Sequence, residues 1–171
     1  MSERQTLREY QQALFERLRA HAANDAAQTS RLGLEAGGVR WLLRLDEAQE
    51  VISVAPLTRV PLTKSWFRGL VNIRGNLFSV VDLGSFAGSN AAALDPEARL
   101  VLLAERFHVN AALLVERLIG LRNIGDFVAD ATEAAPYPWA SRRLRDPDGA
   151  LWHELSVSEL AQRQEFLQAG V

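Results

Sequence analysis

The chain has 171 residues, 48% hydrophobic and 23% charged, enough apolar matter for one soluble domain or one domain of two small halves. Its 19 Lys+Arg against 21 Asp+Glu leave a net charge of −2, so no global field draws it to nucleic acid or an anionic membrane. The absence of cysteine excludes disulfides, thiolate nucleophiles and Cys-type zinc sites, and no apolar run reaches the roughly 20 residues of a membrane span.

The opening "MSERQTLREYQQ" is too polar for a secretory signal, so a cytoplasmic protein without direct membrane insertion is expected. Residues 2–22 are predicted to form a helix. Leu7, Tyr10, Leu14 and Leu18 recur at helical spacing, Phe15 widens the stripe, and Ser2 with Gln5 offers a capping box. Such a stripe packs on its own domain or docks a partner, and the first is the expectation. The small, polar stretch 22–30 is predicted to be a linker, which makes 1–30 a helix and linker ahead of a domain over 31–171.

From Arg31 the pattern changes to short β-like runs. "RLGLEAGGVRWLLRL" turns at Gly37-Gly38, "EVISV" follows, and Pro56 and Pro61 bracket a connector that no central strand tolerates. "GLVNI" and "NLFSVVDL" flank Arg74-Gly75, a second tight turn. After a loop over 85–98 a further set begins with "RLVLLAE" and "VNAALLVERL" around Phe107-His108, then "GLRNI" and "DFVAD". "SRRLRDPDGALWHEL" is a hairpin about Asp148-Gly149. Ser156 and Glu159 form a capping box for a last helix over 156–169, with Val157, Leu160, Ala161 and Leu167 on one face. The fold class is therefore mostly β, with a helix at each end, and the repeated short strands suggest barrels over about 31–84 and 99–155.

Catalytic readings fail in turn. Glycine-rich phosphate loops and a serine elbow are missing, so no nucleotide cofactor or acyl-enzyme chemistry is implied. His21, His108 and His153 lack metal-ligand spacing and read as surface or half-buried residues, so no metal is expected. Asp46 and Glu47 read as turn or solvated positions, and Trp66, Trp139 and Trp152 as packing residues. Trp66, Phe67, Arg68, Arg74 and Phe78 could line a single-strand groove, but Val71, Ile73, Val80 and Val81 argue against it, and Asp146, Asp148 and Glu154 offset the arginines at 142, 143 and 145. A non-catalytic protein that works through its surfaces remains.

Residues 66–83, with Gly69-Leu70-Val71-Asn72-Ile73-Arg74-Gly75 and then "FSVVDL" to Asp82-Leu83, resemble the CheW-like coupling proteins of bacterial chemosensory systems. "RLDEAQEVISVAPLTRVP" and "ARLVLLAERFHVNAALLVERLIGLRNI" are similar to other parts of that family, and the N-terminal helix and the tail "RDPDGALWHELSVSEL" resemble its PilI-type twitching-motility branch. The resemblance implies two packed, five-stranded SH3-like barrels around an apolar seam. It also implies an adaptor that links the cytoplasmic domain of a methyl-accepting chemoreceptor to a CheA-type histidine kinase, with pilus retraction and extension or flagellar rotation as the output. Carried over by residue, the receptor-binding positions are Arg74, Glu50, Asn72 and Gly75. Arg74 is the contact, Asn72 and Gly75 shape its turn, and Glu50 is expected beside it. Val51 and Ile52 correspond to kinase-binding positions, although alternate residues of a strand must also face inward.

Overall fold

The runs "RLVLLAE" and "VNAALLVERL" show almost no polar alternation, and the structure, a computed structural model, supplies the reason. Val101, Leu103, Leu113 and Val115 enter one hydrophobic cluster, while their neighbours Leu100, Leu102, Ala112 and Leu114 enter another. A strand covered on both faces has no solvent side to mark with polar residues. The structure describes the backbone of residues 2–21 and 28–171 and the side chains of 9–19 and 28–171. Residues 22–27, most of the predicted linker, and the side chains of Ser2, Gln5, Leu7 and His21 lie outside the described residues.

In chain order the strands are β1 (Ser30–Ala36), β2 (Val39–Arg44), β3 (Ala48–Ser53), β4 (Phe67–Ile73), β5 (Asn76–Asp82), β6 (Arg99–Leu103), β7 (Ala111–Val115), β8 (Arg117–Asn123), β9 (Val128–Ala129), β10 (Ala140–Arg145) and β11 (Leu151–Leu155). The helices are α1 (Ser2–His21), α2 (Leu83–Phe86), α3 (Val157–Gln162) and α4 (Gln164–Leu167). A six-stranded sheet runs β8-β1-β2-β11-β10-β9, and a five-stranded sheet runs β3-β6-β7-β5-β4. The sixth strand of the larger sheet is the two-residue β9.

The two sheets do not follow the expected division at 31–84 and 99–155. β1 and β2 leave the first stretch to pair with β8 and β11, while β3 to β7 build the other sheet across both stretches. The chain changes sheet twice, at the 3-10 turn Leu45–Glu47 and at Glu116. Glu116 fastens its crossing: its N–H donates to Glu35 C=O at 2.9 Å, and its Oε1 accepts from Gly37 N–H at 2.9 Å. Turn chemistry alone carries no information on which strands meet over long distances.

Three apolar layers result. Leu42, Leu144 and Trp152 pack together in the six-stranded sheet, and Val71, Phe78, Val80 and Leu100 pack together in the five-stranded one. Between the sheets, Leu34, Trp41 and Leu43 meet Val81, Leu113 and Val115 in the seam. Each fully buried side chain there contributes about 1.5–3 kcal/mol before entropy is set against it.

The predicted turns at Gly37-Gly38 and Arg74-Gly75 both join strands in register, Ala36 to Val39 and Ile73 to Asn76. The Asp148-Gly149 hairpin is also present, with a five-residue loop organised by Asp146. Asp146 accepts from Asp148 N–H at 3.0 Å, Ala150 N–H at 2.9 Å and the Trp152 indole N–H at 2.9 Å.

The last helix departs from expectation. Ser156 caps it by accepting from Glu159 N–H, but Ser156 N–H donates to Trp139 C=O, so the box is one-sided. Arg163 is extended at ψ 124° and breaks the helix into α3 and α4. In an unbroken helix Phe166 would lie roughly opposite the Val157–Leu160 face. The break turns Phe166 into the seam, where its ring meets Phe86 at 5.8 Å, and leaves Leu167 exposed.

Candidate functional site

Arg74 stands at the tip of the β4–β5 hairpin, and both residues of the two-residue turn have positive φ, 52° at Arg74 and 85° at Gly75. That geometry matches the right-handed twist of the flanking strands, and glycine adopts it freely. An arginine does not, so its side chain is presented at a backbone cost. Asn72 Oδ1 accepts from Gly75 N–H at 2.9 Å and holds the turn from the preceding strand.

The guanidinium of Arg74 is ion-paired to the carboxylate of Glu50 on β3. The Arg74 side chain is 60% exposed and that of Glu50 only 11%, so the carboxylate is set in the wall and the arginine lies over it. β3 and β4 are the two outer strands of the five-stranded sheet, and the pair joins them. Nearby, Thr58, just beyond β3, exchanges two backbone hydrogen bonds of 2.8 Å with Leu70 of β4 and closes the sheet on itself. Gly69 makes this possible, because a Cβ there would come within 2.3 Å of the Thr58 carbonyl oxygen. All four expected receptor-binding residues, Arg74, Glu50, Asn72 and Gly75, thus meet at one end of one barrel.

Val51 and Ile52 follow Glu50 along β3 and point to opposite faces. Val51 packs against the seam and Ile52 against the interior of the five-stranded sheet, and both are half-buried. Their remaining exposed surface borders a cleft of about 400 Å³ under α1, lined also by Phe15, Leu18, Leu118 and Leu121. The inward-packing alternative for these two residues therefore holds for part of each side chain.

A model of the CheW-like domain matches residues 31–165. The chain belongs to the CheW-like domain family. It is similar to Protein PilI of Pseudomonas aeruginosa, at 30% identity over 158 residues that cover 88% of this chain and 85% of that protein. Protein FrzA of Myxococcus xanthus is 29% identical, with 87% of this chain and 86% of FrzA covered. Chemotaxis protein CheW of Thermotoga maritima is 25% identical, with 68% and 76% covered. The scaffolding protein TtCheW from Thermoanaerobacter tengcongensis shares the fold, with a TM-score of 0.67 at 14% identity over 81% of this chain and 90% of that one.

In this CheW-like domain the Asp82-Leu83 end of the signature stretch has a structural task. Asp82 is fully buried; it pairs with Arg68 Nη1 at 2.9 Å, accepts from Ala92 N–H at 2.7 Å and caps α2 by accepting from Ser85 N–H at 3.1 Å. Arg68 is consumed in this clasp, Phe78 is in the core, and Trp66 packs edge-on to Phe86 at 5.0 Å, so these three residues do not line an open single-strand groove. The arginines at 142, 143 and 145 are likewise paired, with Glu154, with Asp130 and Glu133, and with Asp130. Burial pushes the Glu154 carboxyl up, but hydrogen bonds from Arg142 and Arg31 outweigh it and hold the group below the usual carboxylate range.

Two titratable residues are more buried than expected. Glu47 is not solvated: it is 8% exposed, and burial raises its carboxyl above the ordinary value. His153 is 5% exposed, between Trp41 and Tyr137 at ring distances of 5.6 and 5.2 Å, and burial, aided by the Arg143 charge, lowers its pKa. A histidine beside a glutamate in the strand Leu151–Leu155 gives no sequence signal that separates these environments. Among the described residues no cluster of three His, Cys, Asp or Glu could hold a metal, and no helix is long and apolar enough to cross a membrane.

Proposed function

We propose that this protein is a non-catalytic adaptor that couples the cytoplasmic domain of a methyl-accepting chemoreceptor to a CheA-type histidine kinase. The observation that carries the reading is the Arg74 turn: an exposed guanidinium, held in a strained backbone conformation and steered by a buried carboxylate from another strand. Strain of this kind persists where the surrounding structure enforces it, and it collects at binding sites. An arginine over a set-back carboxylate is a ready interface anchor. A receptor carboxylate or backbone carbonyl can take over its hydrogen bonds, and Glu50 returns it to the same place on release.

The adaptor holds kinase and receptor in fixed geometry, so a conformational change in the receptor shifts the kinase between activity states. The similarity to PilI and FrzA over most of the chain supports an output in surface motility driven by type IV pili. Ion pairing of the 142–145 arginines supports a protein partner over nucleic acid.

The test compares wild type and Arg74→Ala for binding to purified receptor cytoplasmic domain and kinase. The variant is expected to lose receptor affinity by tenfold or more, about 1.4 kcal/mol, and to keep the kinase. Equal receptor binding by both proteins would remove Arg74 from the interface, and a wild type that holds neither partner would end the adaptor reading. Deletion of the gene, scored for twitching and for swimming, separates the pilus output from the flagellar one.

A further inference from the structure

Among its described side chains, α1 buries only part of its apolar stripe. At about 100° per residue, Tyr10, Leu14, Leu18 and Phe15 span about 140° of the helix surface. Among residues 9–19 the half-buried positions are Gln12, Phe15 and Leu18, while Tyr10 is 66% and Leu14 46% exposed. The buried face is thus turned roughly 75° from the centre of the stripe, with a glutamine toward the domain and a tyrosine toward solvent.

Among the described side chains the hold on the domain is partial, with Leu18 half-buried beside Phe15. Phe15 packs against the seam cluster, and Arg19 Nη1 donates to Gln49 C=O at 3.1 Å. None of the described side chains of α1 is fully buried. Clefts of about 400 and 310 Å³ border the helix, and Val51, Ile52 and Ser53 line both. A helix none of whose described side chains is fully buried can exchange between bound and released states.

We propose that α1 is an intramolecular strap over the Val51–Ile52 face of β3, which leaves that face before a kinase domain docks on it. The inference rests on the adaptor reading above. One apolar surface cannot serve α1 and a partner together, so the apparent affinity for the kinase is scaled by the fraction of molecules whose strap is open.

The experiment uses the full chain. Binding of a CheA-type regulatory domain is measured by calorimetry for wild type, for Phe15→Asp, and for the outward pair Tyr10→Ala with Leu14→Ala. Phe15→Asp is expected to bind about fivefold to tenfold tighter, and the outward pair to bind like wild type. In this cysteine-free chain a single thiol at Ile52→Cys reports the strap directly, with faster maleimide labelling expected in the Phe15→Asp background. Unchanged or weaker binding by Phe15→Asp, or loss of binding in the outward pair, would overturn the strap, because the partner would then read α1 itself. Unchanged labelling would overturn it as well. If neither wild type nor Phe15→Asp binds the kinase domain, the adaptor reading falls and the strap with it.

Discussion

At φ 52° the backbone of Arg74 lies where a Cβ crowds the following carbonyl, a cost of about 1–2 kcal/mol that glycine escapes. Arg74→Ala and Arg74→Gly both leave Glu50 without its partner, and only the second relieves the backbone. The glycine variant is therefore expected to be the more stable of the two by about 1 kcal/mol in urea unfolding, and equal stabilities would contradict a left-handed turn residue. His153 makes a second residue-scale case. Burial lowers its pKa from the ordinary value of 6.5, so below pH 6.5 the unfolded chain takes up a proton that the folded protein refuses. Stability then falls as pH drops from 6.5 toward the depressed folded value, and levels off beneath it. Glu47, with its raised carboxyl, acts in the opposite sense, since acidification relieves a buried charge. Subtracting a His153→Gln series from the wild type isolates the histidine, and a flat difference between pH 7 and pH 5 would contradict the buried-neutral assignment.

Elements here are shaped by what they must reach. The hairpins at Gly37-Gly38 and Arg74-Gly75 follow from local chemistry and were legible in the sequence, because two residues able to take positive φ decide a two-residue turn. The C-terminal helix was legible at its start, where Ser156 caps it, and not at its interior. Helical spacing assigned Leu167 to the buried face, yet the extension at Arg163 re-aims the following residues and sends Phe166 inward. Phe166→Ala is accordingly expected to cost about 2–4 kcal/mol, and Leu167→Ala less than about 0.5 kcal/mol. Thermal or urea unfolding of the two variants checks the order, and a reversed order would restore the unbroken helix. The strand β3 shows a similar override: Val51 and Ile52 face two different cores, and α1 crosses the surface that remains.

At the scale of the molecule, the two sheets are interleaved along the chain. β1 and β2 complete a sheet whose other strands lie beyond Glu116, so neither sheet is closed until most of the domain has been made. The fragment 30–84 carries two strands of one sheet and three of the other, and 99–155 carries the complements. Neither is expected to fold alone, and the full chain is expected to unfold in one cooperative transition. A fragment with dispersed amide resonances and a thermal transition of its own would contradict this. Interleaving also ties the Arg74–Glu50 pair to the seam, since β3 holds Glu50 at one face and Val51 against the seam core. In the proposed adaptor, Glu50 on the receptor side and Val51 and Ile52 on the kinase side would adjoin on this single strand, a short route for coupling between partners.

By itself the sequence determined the strand-rich class, the tight turns, the capped start of the last helix and the signature hairpin with Arg74 at its tip. Each depends on residues close together in the chain, where backbone preference and side-chain periodicity act directly. Tertiary structure alone decided the grouping of strands into sheets, the burial of Glu47 and His153, the Arg68–Asp82 clasp and the orientation of α1. These depend on which distant surfaces meet, and hydrophobic burial, being non-directional, leaves that choice open until the whole chain packs.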